Sequence, residues 1–454
     1  MGGVIQTREE MVFRVSFSGP VGSRYLGLAV TRSARSYTNR YYSSKRLPLE
    51  GIKVVDISRV LAGPYCTQIL GDMGAEVIKI EHPTRGDDTR AWGPPFAERL
   101  DGQGHGESAY FLCVNRNKKS IGLDFQNKKG QEILKKLIKD ADILVENFVP
   151  GTLAKYGLSY EDVRQINERI IYTSVTGYGQ YGPYTKRPGY DVMVEAEFGL
   201  MHITGEHDGQ PVKVGVAVTD MTTGLYASNA ILASLIDRSV SGRGQHLDVC
   251  LSDCQTATLA NIASSSLISG KPDNGRWGTA HPSIVPYQAF ETKGGGSIVI
   301  GGGNDNLFRH VCDAIGVPEW KTDNRFLTNA LRVKNRDALI PLITEVTKLK
   351  TTEEWLQIFD GRPFPYAAVN DVLTTLNHPH TLARNMVVTI DHPTCGPIKL
   401  LNSPVKFSET QPEIRTAPPT LGEHSREIMT NLGFSESEVE ELESEGVISS
   451  SVVF

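Results

Sequence analysis

No stretch of this 454-residue chain is apolar for the roughly 18 residues that crossing a bilayer requires, so the sequence offers no transmembrane helix and no membrane partner. Cysteine is scarce. The six cysteines, Cys66, Cys113, Cys250, Cys254, Cys312 and Cys395, are scattered, and none forms a Cys-x-x-Cys pair. That pattern speaks for reduced thiols and against a disulfide frame or a zinc site. Acidic residues are missing from Met11 to Leu49, a segment that carries Arg14, Arg24, Arg32, Arg35, Arg40, Lys45 and Arg46 among many Ser and Tyr residues. Basic, Ser-rich and acid-free sequence predicts a mitochondrial transit peptide over residues 1–46, and with it a matrix location. Glu9 and Glu10 fit such a leader less well, which makes Met11 an alternative start. Residues 1–46 hold eight of the 47 basic and two of the 52 acidic residues, so the remainder has a net charge of about −11. Such a body is a poor partner for nucleic acid, and any anionic ligand needs a local basic pocket.

What is present is organised around residues 212–238, with Asp220 at the centre. Val212, Val214, Val216 and Val218 make a short Val-rich run, and Leu225, Ile231, Leu232, Leu235 and Ile236 follow at helical spacing. The spacing predicts a junction between an extended segment and a helix, with Asp220 near the helix N-terminus. An acid there has two readings. It is a helix N-cap, accepting backbone N–H bonds at the positive end of the dipole, or a carboxylate that attacks an activated acyl group.

Upstream, strands at 51–58, 76–81, 119–125, 142–147 and 169–175 alternate with helices at 64–73, 127–141 and 160–167. This alternation predicts an open, doubly wound α/β sheet. Gly177-Tyr178-Gly179-Gln180-Tyr181-Gly182 matches the dinucleotide fingerprint and follows a predicted strand. Pro183 and Pro188 leave no helix N-terminus to receive a pyrophosphate, so the segment reads as a Gly-rich active-site loop. A strand at 246–251 and an Ala- and Ser-rich helix at 253–267 come next. The domain reading is a large α/β domain over 47–250, a linker at 251–274, a small α+β domain at 275–390, and a return to the large domain over 391–454. Ser435 and Glu438 predict a capping box for a last helix.

Six segments in order carry a resemblance to the family III CoA-transferases, the group of formyl-CoA and carnitine CoA-transferases. They are 49–66 (LEGIKVVDISRVLAGPYC), 74–83 (GAEVIKIEHP), 115–124 (NRNKKSIGLD), 142–151 (DILVENFVPG), 187–191 (RPGYD) and 242–248 (GRGQHLD). The chain is most similar to the mitochondrial members that use succinate. The resemblance implies CoA transfer from succinyl-CoA to a small dicarboxylic acid, 3-hydroxy-3-methylglutarate or glutarate. It further implies aspartyl anhydride and aspartyl-CoA thioester intermediates on Asp220, with a CoA thioester as substrate and no tightly bound cofactor. The resemblance also implies an interlocked homodimer and a large domain built from both ends of the chain. It places CoA at Leu61, Ala62, His82, Leu123, Asn147, Phe148 and Lys155. His82 stands where formyl-CoA transferase has an arginine, and Gln126 stands near a lysine of that enzyme. Arg85, Arg90, Lys118 and Lys119 are candidates to compensate.

A dicarboxylate needs a cation for its distal carboxylate. Arg116, Arg187, Arg276 and His281 are candidates, with Asp191 and Gly278 as further pocket residues, and the Gly-rich loops 177–182 and 275–281 as covers that exclude water. Two rivals share the fold: an acyl-CoA racemase and a non-catalytic CoA-binding protein. The racemase needs an Asp and a His as opposed bases. Here Tyr190 occupies the His position, and no His occurs between His105 and His202.

Overall fold

The computed structural model describes residues 46–450. The basic leader expected over 1–46 therefore lies outside the described residues, except for Arg46. The central feature is a seven-stranded sheet. Its order is Ile448–Ser449, Lys118–Leu123, Glu76–Glu81, Lys53–Asp56, Ile143–Glu146, Ile171–Thr176 and His246–Cys250. The last six run parallel. Ile448–Ser449 pairs antiparallel with Leu123 and Gly122, so the end of the described chain closes one edge of a sheet begun near residue 53.

Strand alternation explains why both faces are covered. Val54, Val77, Ile143, Val145 and Ile171 pack on one side with the helices Ala62–Asp72 and Val218–Ser241. Their neighbours Val55, Ile80, Leu144 and Tyr172 pack on the other side with the helix Lys128–Lys139. Successive residues point to opposite faces, so apolar runs such as Val54-Val55 and Ile143-Leu144-Val145 require helices on both. The helix Lys128–Lys139 is capped by Asn127 and buries Ile133, Leu134, Leu137 and Ile138.

The strand order reverses beside Lys53–Asp56. The chain adds Glu76–Glu81 and Lys118–Leu123 on one side, then returns to place Ile143–Glu146 on the other. In open α/β sheets a crevice forms at that reversal, beyond the carboxyl ends of the two strands. The segments leaving those ends here are 57–61 and 147–150.

A third apolar cluster lies within 285–366. Phe290, Ile298 and Ile300 of the hairpin Tyr287–Glu291 and Ser297–Gly301 pack on the helices Asp305–Ile315, Arg336–Thr347 and Thr352–Phe359. The segment expected as a linker is mostly helical, Leu251–Thr258 and Ala260–Ser269, with a break at Ala260 where φ is +46°. The hairpin Val387–His392 and Gly396–Leu401 spans the expected boundary at 390. The Ser435–Glu438 capping box is present. No helix among the described residues is long and apolar enough to cross a membrane.

Candidate active site

The helix carrying Asp220 begins at Val218, two residues before it. Asp220 therefore sits in the first turn rather than at the cap, and residues 212–217 are irregular rather than a strand. The N-cap position is Ala217, whose side chain offers no acceptor. The missing cap comes from another element. Oδ2 of Asp191 accepts the backbone N–H of Thr219 at 2.8 Å and of Asp220 at 3.1 Å. The N-cap role weighed for Asp220 thus falls to Asp191, which satisfies two orphan donors of that terminus. One turn on, the fully buried Glu195 accepts the N–H of Val214 at 3.0 Å. The short helix Asp191–Glu197 thereby anchors both the segment leading into the Asp220 helix and its first turn.

The Asp220 carboxylate makes no hydrogen bond to any described residue. Burial, and then the neighbouring charge of Asp191, pushes it up from 3.8 to about 7. No cation among the described residues contributes to that balance. A half-buried carboxylate without partners, poised near neutrality, is chemically available rather than structurally occupied. Tyr110 lies close enough for the Asp220 charge to help raise its phenol, after burial, to about 12.

Asp220 opens into a cleft of about 360 Å³ at the switch crevice. Its walls include Leu61, Ala62, Asn147, Phe148, Tyr178, Arg187 and Tyr190. Gly177 and Gly189 pack backbone to backbone within this wall, since a Cβ on Gly177 would lie 2.8 Å from the Gly189 Cα. A second cavity, of about 110 Å³, adjoins it and shares Arg59 and Phe148. His82, Arg85, Leu123, Phe125 and Gln126 are among its walls. The two make one groove, with a carboxylate at one end and an exposed arginine, Arg85, at the other.

A family model described as CoA-transferase family III matches residues 49–425. The chain belongs to CoA-transferase family III. It is 46% identical over 402 residues to a Homo sapiens protein named succinyl-CoA:glutarate CoA-transferase, covering 88% of this chain and 90% of that one. It is 41% identical over 389 residues to the succinate–glutarate CoA-transferase of Agrobacterium fabrum, covering 86% and 96%. The fold is similar to the crystal structure of a CAIB/BAIF family protein from Brucella suis, with a TM-score of 0.78, 42% identity, and coverage of 86% and 100%.

As a family III CoA-transferase, the chain gathers some expected site residues and disperses others. Leu61, Ala62, Asn147, Phe148, Arg187, Asp191 and Asp220 meet at or beside the large cleft, while His82, Leu123, Gln126 and Arg85 meet at the adjoining cavity. Lys155, on the outer face of the one-turn helix Leu153–Tyr156, lines neither. Arg116 is not a free cation. It is buried against Asp72 at 2.6 Å and donates to the Leu401 carbonyl at 2.8 Å, tying the first part of the chain to the late hairpin. Arg90, held by Glu81 and Glu107, and Lys118, held by Asp56, are likewise committed to ion pairs. Lys119 bridges Glu76 and Glu427. Gly278 donates to the Gly205 carbonyl, Arg276 donates to that of His202, and His281 stacks on Tyr287. None of these three lines the cleft of a single chain. Sequence reasoning passed over Arg59, Tyr110 and Glu195, because each acquires its neighbours only through the fold.

Proposed function

We propose that the protein transfers CoA from succinyl-CoA to a dicarboxylic acid with a five-carbon chain, glutarate or its 3-hydroxy-3-methyl derivative, with Asp220 as the nucleophile. The observation that carries this reading is the unpartnered carboxylate of Asp220 at one end of a groove whose other end presents Arg85. Relatives named for succinyl-CoA and glutarate support the acid pair. Glutarate and 3-hydroxy-3-methylglutarate share one carboxylate spacing and differ only at C3, so both belong to this class.

The Asp220 carboxylate oxygen attacks the thioester carbonyl and CoA thiolate leaves, giving a succinyl–aspartyl anhydride. The thiolate then attacks the aspartyl carbonyl of that anhydride, and succinate departs. The aspartyl-CoA thioester so formed is attacked by the acceptor carboxylate, which releases the thiolate again. In the last step the thiolate attacks the acceptor's acyl carbon and the Asp220 carboxylate is regenerated. Each intermediate is an activated acyl group, so no bond energy is lost to water while the groove stays closed.

Arg187 is the cation we assign to the distal carboxylate. It lines the cleft, lies over Tyr178 and Tyr184 at 5.2 Å from each ring, and pairs with Glu197 at 2.8 Å. The substrate's carboxylate replaces or joins Glu197 there. Racemase chemistry is less well served, because Tyr190 stands in the cleft wall and no histidine does.

The dimer is part of this proposal. Ile236 is 72% exposed, Val240 89%, Leu267 84% and Ile268 87%. Apolar exposure on that scale marks an interaction surface, and a second copy also offers a route by which segment 275–281 reaches a cleft. The direct test is mass spectrometry of the Asp220 peptide after brief reaction with succinyl-CoA. The reading expects a gain equal to CoA less water on Asp220; the same adduct on another carboxylate would overturn it.

A further inference from the structure

Four non-glycine residues among those described have positive φ: Val60, Asn117, Ala260 and Asn385. Asparagine tolerates that region, but a β-branched residue at φ +73° does not do so without cost. Val60 lies between the strand Lys53–Asp56 and the helix Ala62–Asp72, in the wall of the larger cavity and next to Arg59, which lines both. What holds it there is visible. Its N–H points to both carboxylate oxygens of Asp87, at 3.3 Å each. Asp87 is itself fixed by Lys79 at 2.9 Å, with both side chains at 0% exposure, and by the N–H and hydroxyl of Thr89 at 3.0 and 2.8 Å. Lys79 also donates to the Ser58 carbonyl at 2.9 Å. On the other flank Asn147 clamps the preceding residue. Its Oδ1 accepts the Arg59 N–H at 3.0 Å and its Nδ2 donates to the Arg59 carbonyl at 2.7 Å.

We infer that Asp87, backed by Lys79, and Asn147 are positioning residues that hold Arg59-Val60-Leu61 in a strained turn. The turn makes a fixed backbone platform for the CoA moiety where the two cavities meet. Asp87 and Lys79 border the smaller cavity, but their side chains are fully buried and spent on each other, on Thr89, on the Ser58 carbonyl and on the Val60 N–H, so they act through the turn. Leu61 is the N-cap of the following helix and has no side-chain cap of its own. The turn therefore decides where the first N–H groups of that helix point. Without its clamps, Val60 relaxes toward negative φ and the platform rotates out of the groove. Glycine at this position has no steric reason to relax.

This inference rests on the groove being a CoA site, and the experiment separates the two claims. CoA affinity is measured by calorimetry, and kcat and KM for succinyl-CoA by exchange, for Asp87→Ala and Asn147→Ala. Each is made with Val60 intact and in a Val60→Gly background. The expectation is a loss of CoA affinity of about tenfold for either clamp variant with Val60 intact. KM should rise in step, kcat should stay nearly unchanged, and the loss should be distinctly smaller in the Val60→Gly background. Asp87→Asn, which keeps an acceptor for the Val60 N–H, should fall in between. Equal losses in both backgrounds, or a fall in kcat with CoA affinity intact, would overturn the platform. If Asp87→Ala does not fold, Asn147→Ala carries the same comparison without disturbing Lys79. A wild type that binds CoA but exchanges none counts against the transferase reading alone, whereas one that binds no CoA overturns the platform as well.

Discussion

Asp220 is in a first helical turn that another residue caps, and this leaves its carboxylate available. Burial and Asp191 place it at about 7. A nucleophile must be ionised, so the exchange rate should rise about tenfold per pH unit below 7 and level off above it. Asp191→Asn keeps a carbonyl oxygen for the Thr219 and Asp220 N–H groups but removes the like charge. It should move the midpoint of the pH–rate profile to lower pH, only part of the way, since burial remains. The same displacement has a stability sign. Asp220 is protonated in the folded chain at pH values where the unfolded chain is already ionised, so its contribution falls as pH rises from about 4 to 7 and then stays constant. Asp220→Asn should therefore raise the melting temperature over wild type by an amount that grows across that range. The matching gain in unfolding free energy should level off near about 1–3 kcal/mol, reduced because Asp220 is partly exposed to the cleft. A gain independent of pH would contradict the assignment of its titration. For Arg187→Gln, KM for glutarate and succinyl-CoA should rise by about 10- to 100-fold, the worth of one charge-assisted bond. A monocarboxylate acceptor should be little affected, and steady-state kinetics with both acceptor types checks this.

At the level of elements, the Asp220 helix is held against the helix Ala62–Asp72 by the absence of a side chain. A Cβ on Gly224 would lie 2.7 Å from the Ala62 carbonyl oxygen and 3.1 Å from the Tyr65 ring. Gly224→Ala should push the two helices apart at the end that lines the cleft. It should cost about 1–3 kcal/mol in thermal or denaturant unfolding, with lower exchange activity. The elements of the sheet were legible because their signals are local. Glu76–Glu81 lies where its β-branched run predicts, and the other strands are displaced by a residue or two. Local signals also misled. The Val-rich run 212–218 has strand composition but joins no sheet: the Val212 N–H is taken by the Thr204 carbonyl and the Val214 N–H by Glu195. Arg116 and Arg187 look alike in sequence, both arginines near loops. Only the fold shows that the first meets the buried Asp72 while the second faces the cleft. The clamp on the Val60 turn was beyond reach for the same reason, since it joins residues 27 and 88 positions apart.

On the scale of the whole molecule, one edge of the parallel sheet is closed by the far end of the described chain, and large apolar side chains, Leu267 and Ile268 among them, stay exposed on a single copy. Sedimentation should show a dimer, and a Leu267→Glu, Ile268→Glu double variant should shift it toward monomer with loss of exchange. An unchanged dimer would place the interface elsewhere. Family membership was legible because six segments are spread along most of the chain, whereas the composition of the cleft depends on where the sheet reverses. The most direct test of the central claim is the initial rate of CoA exchange from succinyl-CoA to glutarate, by the wild type and by a folded Asp220→Asn variant. Exchange by the wild type and a loss of about a thousandfold or more in the variant is the result predicted. Equal rates in the two would contradict it and remove Asp220 from the reaction.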